Sequence, residues 1–140
     1  MTKEEIYAMI QANPVFHLAS VEGDQPRVRA LLIYSADANG IVFHTGKMRD
    51  LHRQLQSNPK TELCFQDFKN GVQVRVSGVA KLVEDLDLKK QIVAHPTREF
   101  LRSFIAANGY EPLAVYRITN PVATTWTMAR NLEPRQAIPL

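Results

Sequence analysis

Four residues in one short stretch, Thr45, Gly46, Lys47 and Arg49, bring a hydroxyl, an unhindered backbone and two cations together. They stand where an apolar run ending in Phe43 and His44 gives way to a helical pattern. The first turn of a helix carries unpaired backbone N–H groups and a partial positive charge, so an anion fits there. Charge-assisted donors of this kind contribute roughly 1.5–3 kcal/mol each when well aligned, and a phosphate suits all four residues. The same residues also read as a strand end, a turn and a solvated helix face; the segment alone accommodates both.

Two other segments place arginine on the polar side of an alternating pattern. In "PRVRALLIY" a period of two sets Arg27, Arg29, Leu31 and Ile33 on one face and Val28, Ala30, Leu32 and Tyr34 on the other. In "VQVRVSG" it sets Gln73, Arg75 and Ser77 opposite Val72, Val74 and Val76. Such faces are either anion-facing or the solvated outside of a barrel. His17, His44, His52 and His95 stand singly, without HxH or HExxH spacing, so no metal site is expected. His17 and His44 read as core-edge or surface residues and His52 as a helix-surface residue. Cys64, the sole cysteine, sits in "TELCF" and reads as a small buried thiol. With no GxSxG, GxGxxG or Walker loop, and no carboxylate pair that stands out, no side chain is expected to be catalytic. Trp126 reads as a core anchor or as a flat platform for an aromatic ligand.

The 140 residues that carry these groups make one domain, 1–140, large enough to bury a core without staples. Its 45% hydrophobic and 22% charged shares are those of an ordinary globular chain. No apolar run approaches the ~20 residues of a membrane helix, so no membrane partner is expected. "MTKEEIYAMIQANP" reads as an amphipathic helix rather than a leader, which implies a cytoplasmic protein. The net charge of +3 is scattered among 14 acidic residues, and no aromatics interleave with the basic ones. A nucleic-acid partner is therefore not expected, and a small anionic ligand accounts for the excess.

The spacing predicts a first helix from Lys3 to about Ala12, opened by a Thr2–Glu5 capping box. Strands follow at Val15 to Val21, along "PRVRALLIYS", and at Ile41 to Thr45, with turns at "EGDQ" and "ADANG". A helix with Met48, Leu51 and Leu55 on one face then runs to Asn58–Pro59. "KTELCFQ" and "VQVRVSGVAKLVE" make a hairpin, and two helical segments span 85–94 and 97–108. Two final strands, "EPLAVYRIT" and "PVATTWTM", are divided at Asn120–Pro121, and the proline-bearing tail is expected to be irregular. Short connections between about seven strands favour a small, mainly β antiparallel barrel with flanking helices over a parallel sheet.

In order and spacing, "GDQPRVRALLIY", "FHTGKMRDLHRQLQSNP" and "GVQVRVSGVAKL" resemble the flavin-binding split-barrel family that includes pyridoxamine 5'-phosphate oxidase. The match runs without gaps from Phe43 through Gly78. The resemblance implies an antiparallel Greek-key split barrel, FMN as cofactor, a small-molecule substrate or electron donor, and a homodimer with flavin at the subunit interface. Carried over by position, it implies that Arg29, with Arg27 beside it, binds the phosphate or ribityl chain. Ala30, Leu31 and Leu32 would present backbone to the ring. Thr45 would reach the phosphate with His44 beside it, and Gly46, Lys47, Met48 and Arg49 would complete that end. Gln73 would contact the ring, and Trp126, from a partner chain, would cover it. Asp50 and Leu51 stand where the full-length oxidase has a basic pair, and Tyr34 where it has a lysine. "TMARNLEPRQAIPL" lacks the oxidase's Arg-and-His segment for its substrate. The resemblance therefore implies a small FMN-dependent oxidoreductase, similar to the nitroimidazole-resistance proteins, rather than an oxidase of pyridoxamine phosphate. The alternative is a protein that holds FMN, haem or a deazaflavin without turnover.

Overall fold

The computed structural model describes all 140 residues. Its first helix, α1 (Lys3–Ala12), begins as its spacing requires: the Thr2 hydroxyl accepts from the Glu5 N–H and the Glu5 carboxylate accepts from the Thr2 N–H. Ile6, Met9 and Ile10 form its buried stripe. The strands are β1 (Val15–Glu22), β2 (Gln25–Leu32), β3 (Ser35–Asp37), β4 (Gly40–Gly46), β5 (Lys60–Asp67), β6 (Val72–Leu82), β7 (Leu113–Thr127) and β8 (Ile138–Pro139). The remaining helices are α2 (Asp50–Ser57), α3 (Leu86–Ala94) and α4 (Arg102–Asn108).

All pairings are antiparallel, in the order β2-β1-β5-β6-β7-β4-β3, with β8 on β7. The two end strands of that path, β2 and β3, are joined by Ile33 and Tyr34 alone. A sheet whose ends are tied by two residues must curl back on itself, which makes it the antiparallel split barrel that the sequence implies. Phe16, Phe65, Phe43 and Tyr116 stack in pairs inside it, with ring centroids 5.0 and 5.6 Å apart. A smaller cluster of Ile92 and Val93 from α3 with Val42, Leu113 and Val115 lies outside. No helix is long and apolar enough to cross a membrane.

Several boundaries differ from expectation, each for a local reason. "ADANG" is not all turn: Ser35–Asp37 pairs with Gly40–Val42, leaving only Ala38 and Asn39 at the tip. Met48 is exposed outside α2, because the chain first makes a turn in which the Arg49 N–H donates to the Gly46 carbonyl. The two expected C-terminal strands are one, β7, kinked at Asn120 (φ 51°) where the β6 register shifts between Ser77 and Val79. A Cβ on Gly78 would collide there with Ile118 Cγ2 and come within 3.0 Å of the Thr119 carbonyl. The segment 97–108 is a 3-10 stretch, Pro96–Leu101, followed by α4, with a kink at Arg98. The tail contributes the short strand β8. Cys64 is only half-buried, since its neighbours Leu63 and Phe65 take the inner face.

Candidate functional site

The inner face of β2 carries Leu31 toward the core opposite Phe16, then Arg29 and Arg27 opposite Leu18 and Ser20 as the barrel opens. There the opening becomes a cleft of about 860 Å³, within the usual range for small-molecule sites. One side is β2, a second is the β4–α2 junction, and the third is an apolar wall of Phe100, Leu101 and Phe104. Of the residues expected at a cofactor, Arg27, Arg29, Ala30, Leu31 and Leu32 line the first side. His44, Thr45, Gly46, Met48 and Arg49 line the second.

Arg29 is the most constrained cation of the cleft. Its guanidinium donates to the Leu18 carbonyl (3.3 Å), to Ser20 Oγ (2.7 Å) and to Gln54 Oε1. It makes no ion pair, although Asp50 acts on it through space, and burial lowers its pKa. Glu22 is engaged by Arg27, Arg53 and the Gln54 amide. Arg53 also pairs with Asp50, and exposed Arg49 has no ion-pair partner. Four arginines thus border the cleft against two carboxylates. The N-terminus of α2 opens on the same side, with no side chain capping it.

Three expected residues lie elsewhere. The Lys47 ammonium is bound to Glu111 (2.7 Å) and Glu84 (2.9 Å), which raise its pKa, and Lys47 is not among the cleft-lining residues. Gln73 and Trp126 face each other across β6 and β7. Trp126 donates to Asn131 Oδ1 (2.8 Å) and borders a separate cavity of about 470 Å³. Arg75, on the outer face, pairs with Glu62 at 3.4 Å. His52 is no plain surface residue: its Nδ1 is hydrogen-bonded to the buried Tyr116 hydroxyl at 2.7 Å, which also accepts from Gln56.

His44 is the titratable group the cleft perturbs most. Burial first, and then the Arg98 charge, push its pKa down to about 4. Gln54 and Ser20 went unread in the sequence, although their signals were present. Gln54 shares the buried face of α2 with Leu51 and Leu55, and Ser20 continues the inward alternation of Phe16 and Leu18. Arg98, Phe100 and Phe104 had no comparable signal. No group of three or more His, Cys, Asp or Glu side chains is placed to hold a metal ion.

A family model for pyridoxamine 5'-phosphate oxidase matches residues 2–120. The pyridoxine/pyridoxamine 5'-phosphate oxidase of Anaeromyxobacter dehalogenans is 35% identical over 71 residues, 51% of this chain and 36% of its own length. That of a Bradyrhizobium species is 31% identical over 97 residues, 69% of this chain and 44% of its own. The chain thus spans less than half the length of these curated relatives. In fold it is similar to a NimC/NimA family protein of Clostridium acetobutylicum, with a TM-score of 0.79 at 21% identity, covering 99% of this chain and 93% of that one. A heme binding protein of Mycobacterium smegmatis aligns with a TM-score of 0.72 at 16% identity, covering 99% of this chain and 58% of the other.

Proposed function

The chain belongs to the pyridoxamine 5'-phosphate oxidase family, and from that premise we propose that it binds FMN in the cleft and acts as a small FMN-dependent oxidoreductase. The observation that carries this reading is the Arg29 guanidinium, partly buried, oriented by three neutral acceptors and free of any ion pair. A charge withdrawn from water in this way is costly unless an anion completes it. The chain's residues fit FMN: a cationic, helix-terminal end suits the phosphate, and an apolar wall suits the ring.

When bound, the flavin supplies the hydride or electron transfer. The protein's part is to bind, orient and exclude water. Arg29, Arg49, the Thr45 hydroxyl and the Gly46 backbone hold the phosphate. Backbone at Ala30, Leu31 and Leu32 borders the ring, and Phe100, Leu101 and Phe104 keep water from one side. Gln73 and Trp126 would reach the ring from a second copy of the chain, so the proposal includes a homodimer. Val15 and Val28, 61% and 69% exposed on β1 and β2, give apolar surface for that contact.

The test is a visible absorption spectrum after adding FMN and removing the excess, with riboflavin, which lacks the phosphate, alongside. FMN should be retained, and riboflavin should bind at least ~10-fold more weakly, as loss of a charge-assisted contact predicts. Complete washout of FMN would overturn the reading. Retained FMN without turnover on NADH or NADPH would make the chain a flavin carrier instead.

A further inference from the structure

Arg98 is 1% exposed yet has no carboxylate partner. Its Nη2 donates to the Leu32 and Ile33 carbonyls (3.2 and 2.7 Å), its Nη1 to Thr97 Oγ1 (2.9 Å) and its Nε to His44 Nε2 (2.8 Å). The Tyr34 ring lies 5.7 Å from the guanidinium carbon. A guanidinium donates and never accepts, so the 2.8 Å contact requires a lone pair on His44 Nε2. An imidazole with its lone pair there carries its single proton on Nδ1. That atom bonds to no protein group and is not among the buried polar atoms left without a partner. Since His44 lines the cleft, its Nδ1 is open to what the cleft holds.

We propose that Arg98 is a positioning residue that locks His44 as the Nδ1–H imidazole, giving the cleft a fixed hydrogen-bond donor for an acceptor atom of its ligand. The ligand half of this inference rests on the reading of the cleft as a binding site. Leu32, whose carbonyl Arg98 holds, is three residues along β2 from Arg29, about 10 Å at the usual rise of a strand. The cleft therefore has two fixtures of different kinds: a guanidinium for an anion, and a neutral N–H for a carbonyl or ring nitrogen. The ligand class is an anionic molecule with a planar, acceptor-bearing far end. The charged group acting on His44 is Arg98, and it works with burial against the imidazolium.

Long-range 15N–1H spectra of histidine-labelled protein without ligand test the lock, with the His44 signals assigned by their loss in His44→Leu. A pyrrole-type Nδ1 and a pyridine-type Nε2, unchanged between pH 8 and 5.5, are expected. An Nε2–H tautomer or an imidazolium at pH 7 would overturn the proposal. In Arg98→Met the Nδ1–H preference should disappear; if that variant does not fold, the wild-type spectrum decides. FMN titrations test the donor. His44→Asn, whose amide N–H replaces Nδ1–H, should bind within about threefold of wild type, and His44→Leu about 10-fold more weakly. Equal binding by His44→Leu would overturn the donor role. A wild-type chain that takes up no FMN would count against the cofactor reading alone, leaving the ligand-free tautomer to decide this one.

Discussion

Gln54 turns its carbonyl oxygen, not its amide nitrogen, toward Arg29. That Oε1 accepts from both the Arg29 guanidinium and the Ser20 hydroxyl, while the amide nitrogen donates to Glu22 at 2.8 Å. Glu22 thereby sets the amide's direction, and the amide gives Arg29 a neutral acceptor in place of a counter-ion. The cation is oriented without being neutralised.

Replacing Arg29 by Ala should weaken FMN binding about 10- to 150-fold, the loss expected for one charge-assisted contact of roughly 1.5–3 kcal/mol. The fold should persist, with a stability loss of about 1–3 kcal/mol from the lost contacts to the Leu18 carbonyl, Ser20 and Gln54. Fluorescence titration with FMN and thermal unfolding read the two effects separately.

Gln54→Glu should weaken FMN binding by about tenfold, because a carboxylate beside Arg29 supplies the counter-ion that the native amide withholds. The affinity should recover as pH falls through the range in which the introduced carboxyl takes up a proton. A pH series of FMN titrations, with wild type in parallel, measures this.

Lys47 and Arg49 should behave oppositely although both were expected at the anion. Lys47→Ala removes a cation already bound to Glu84 and Glu111, so FMN affinity should change less than about threefold and stability by ~0–1 kcal/mol. Arg49, which has no ion pair, should cost about tenfold in affinity when truncated to Ala. The two dissociation constants side by side settle which cation serves the cleft.

Stability should fall on acidification before the carboxylates titrate. The folded-state pKa of His44 is about 4 against an ordinary 6.5, so the fold prefers the neutral ring. This contribution is fully present above pH 6.5 and is lost as pH drops from there toward 4, at most about 3 kcal/mol. The Tm of wild type should decline over that window more steeply than that of His44→Leu. Below it, loss of the ionised Glu84, whose pKa is lowered first by Lys47 and also by Lys89, adds a further decline.

A side chain at Gly78 should destabilise the barrel by about 1–3 kcal/mol, the usual cost of overpacking. Gly78→Val would press into Ile118 and the Thr119 backbone where β7 kinks. Chemical denaturation would show the loss without any change in FMN affinity per folded molecule.

Local rules carried much of the fold into the sequence. The Thr2–Glu5 capping box, the alternation of β1, β5 and β6, and the helix ended by Asn58–Pro59 all rest on contacts a few residues apart, where side-chain type and spacing decide. β7 was misread as two strands because Asn120–Pro121 is a local stop signal. In β7 the two residues of that stop, Asn120 and Pro121, form a bulge opposite the single residue Gly78, and pairing with β6 on either side carries the strand through it.

At the site, the junction of Thr45, Gly46 and Arg49 and the face of Arg27 and Arg29 were legible because each is a short periodic or turn-bounded segment. Their meeting in one cleft was decided by closure of the sheet, which joins β2 to β3 and brings the β4–α2 junction alongside. Which cation is free was decided by tertiary pairing: Lys47 meets Glu111, 64 residues away, and is spent there. The tautomer of His44 depends on Arg98, 54 residues further along the chain. Alternation and capping act over a few residues and can be read from residue order, whereas the charge state of a cleft depends on groups that only chain closure brings within hydrogen-bond range.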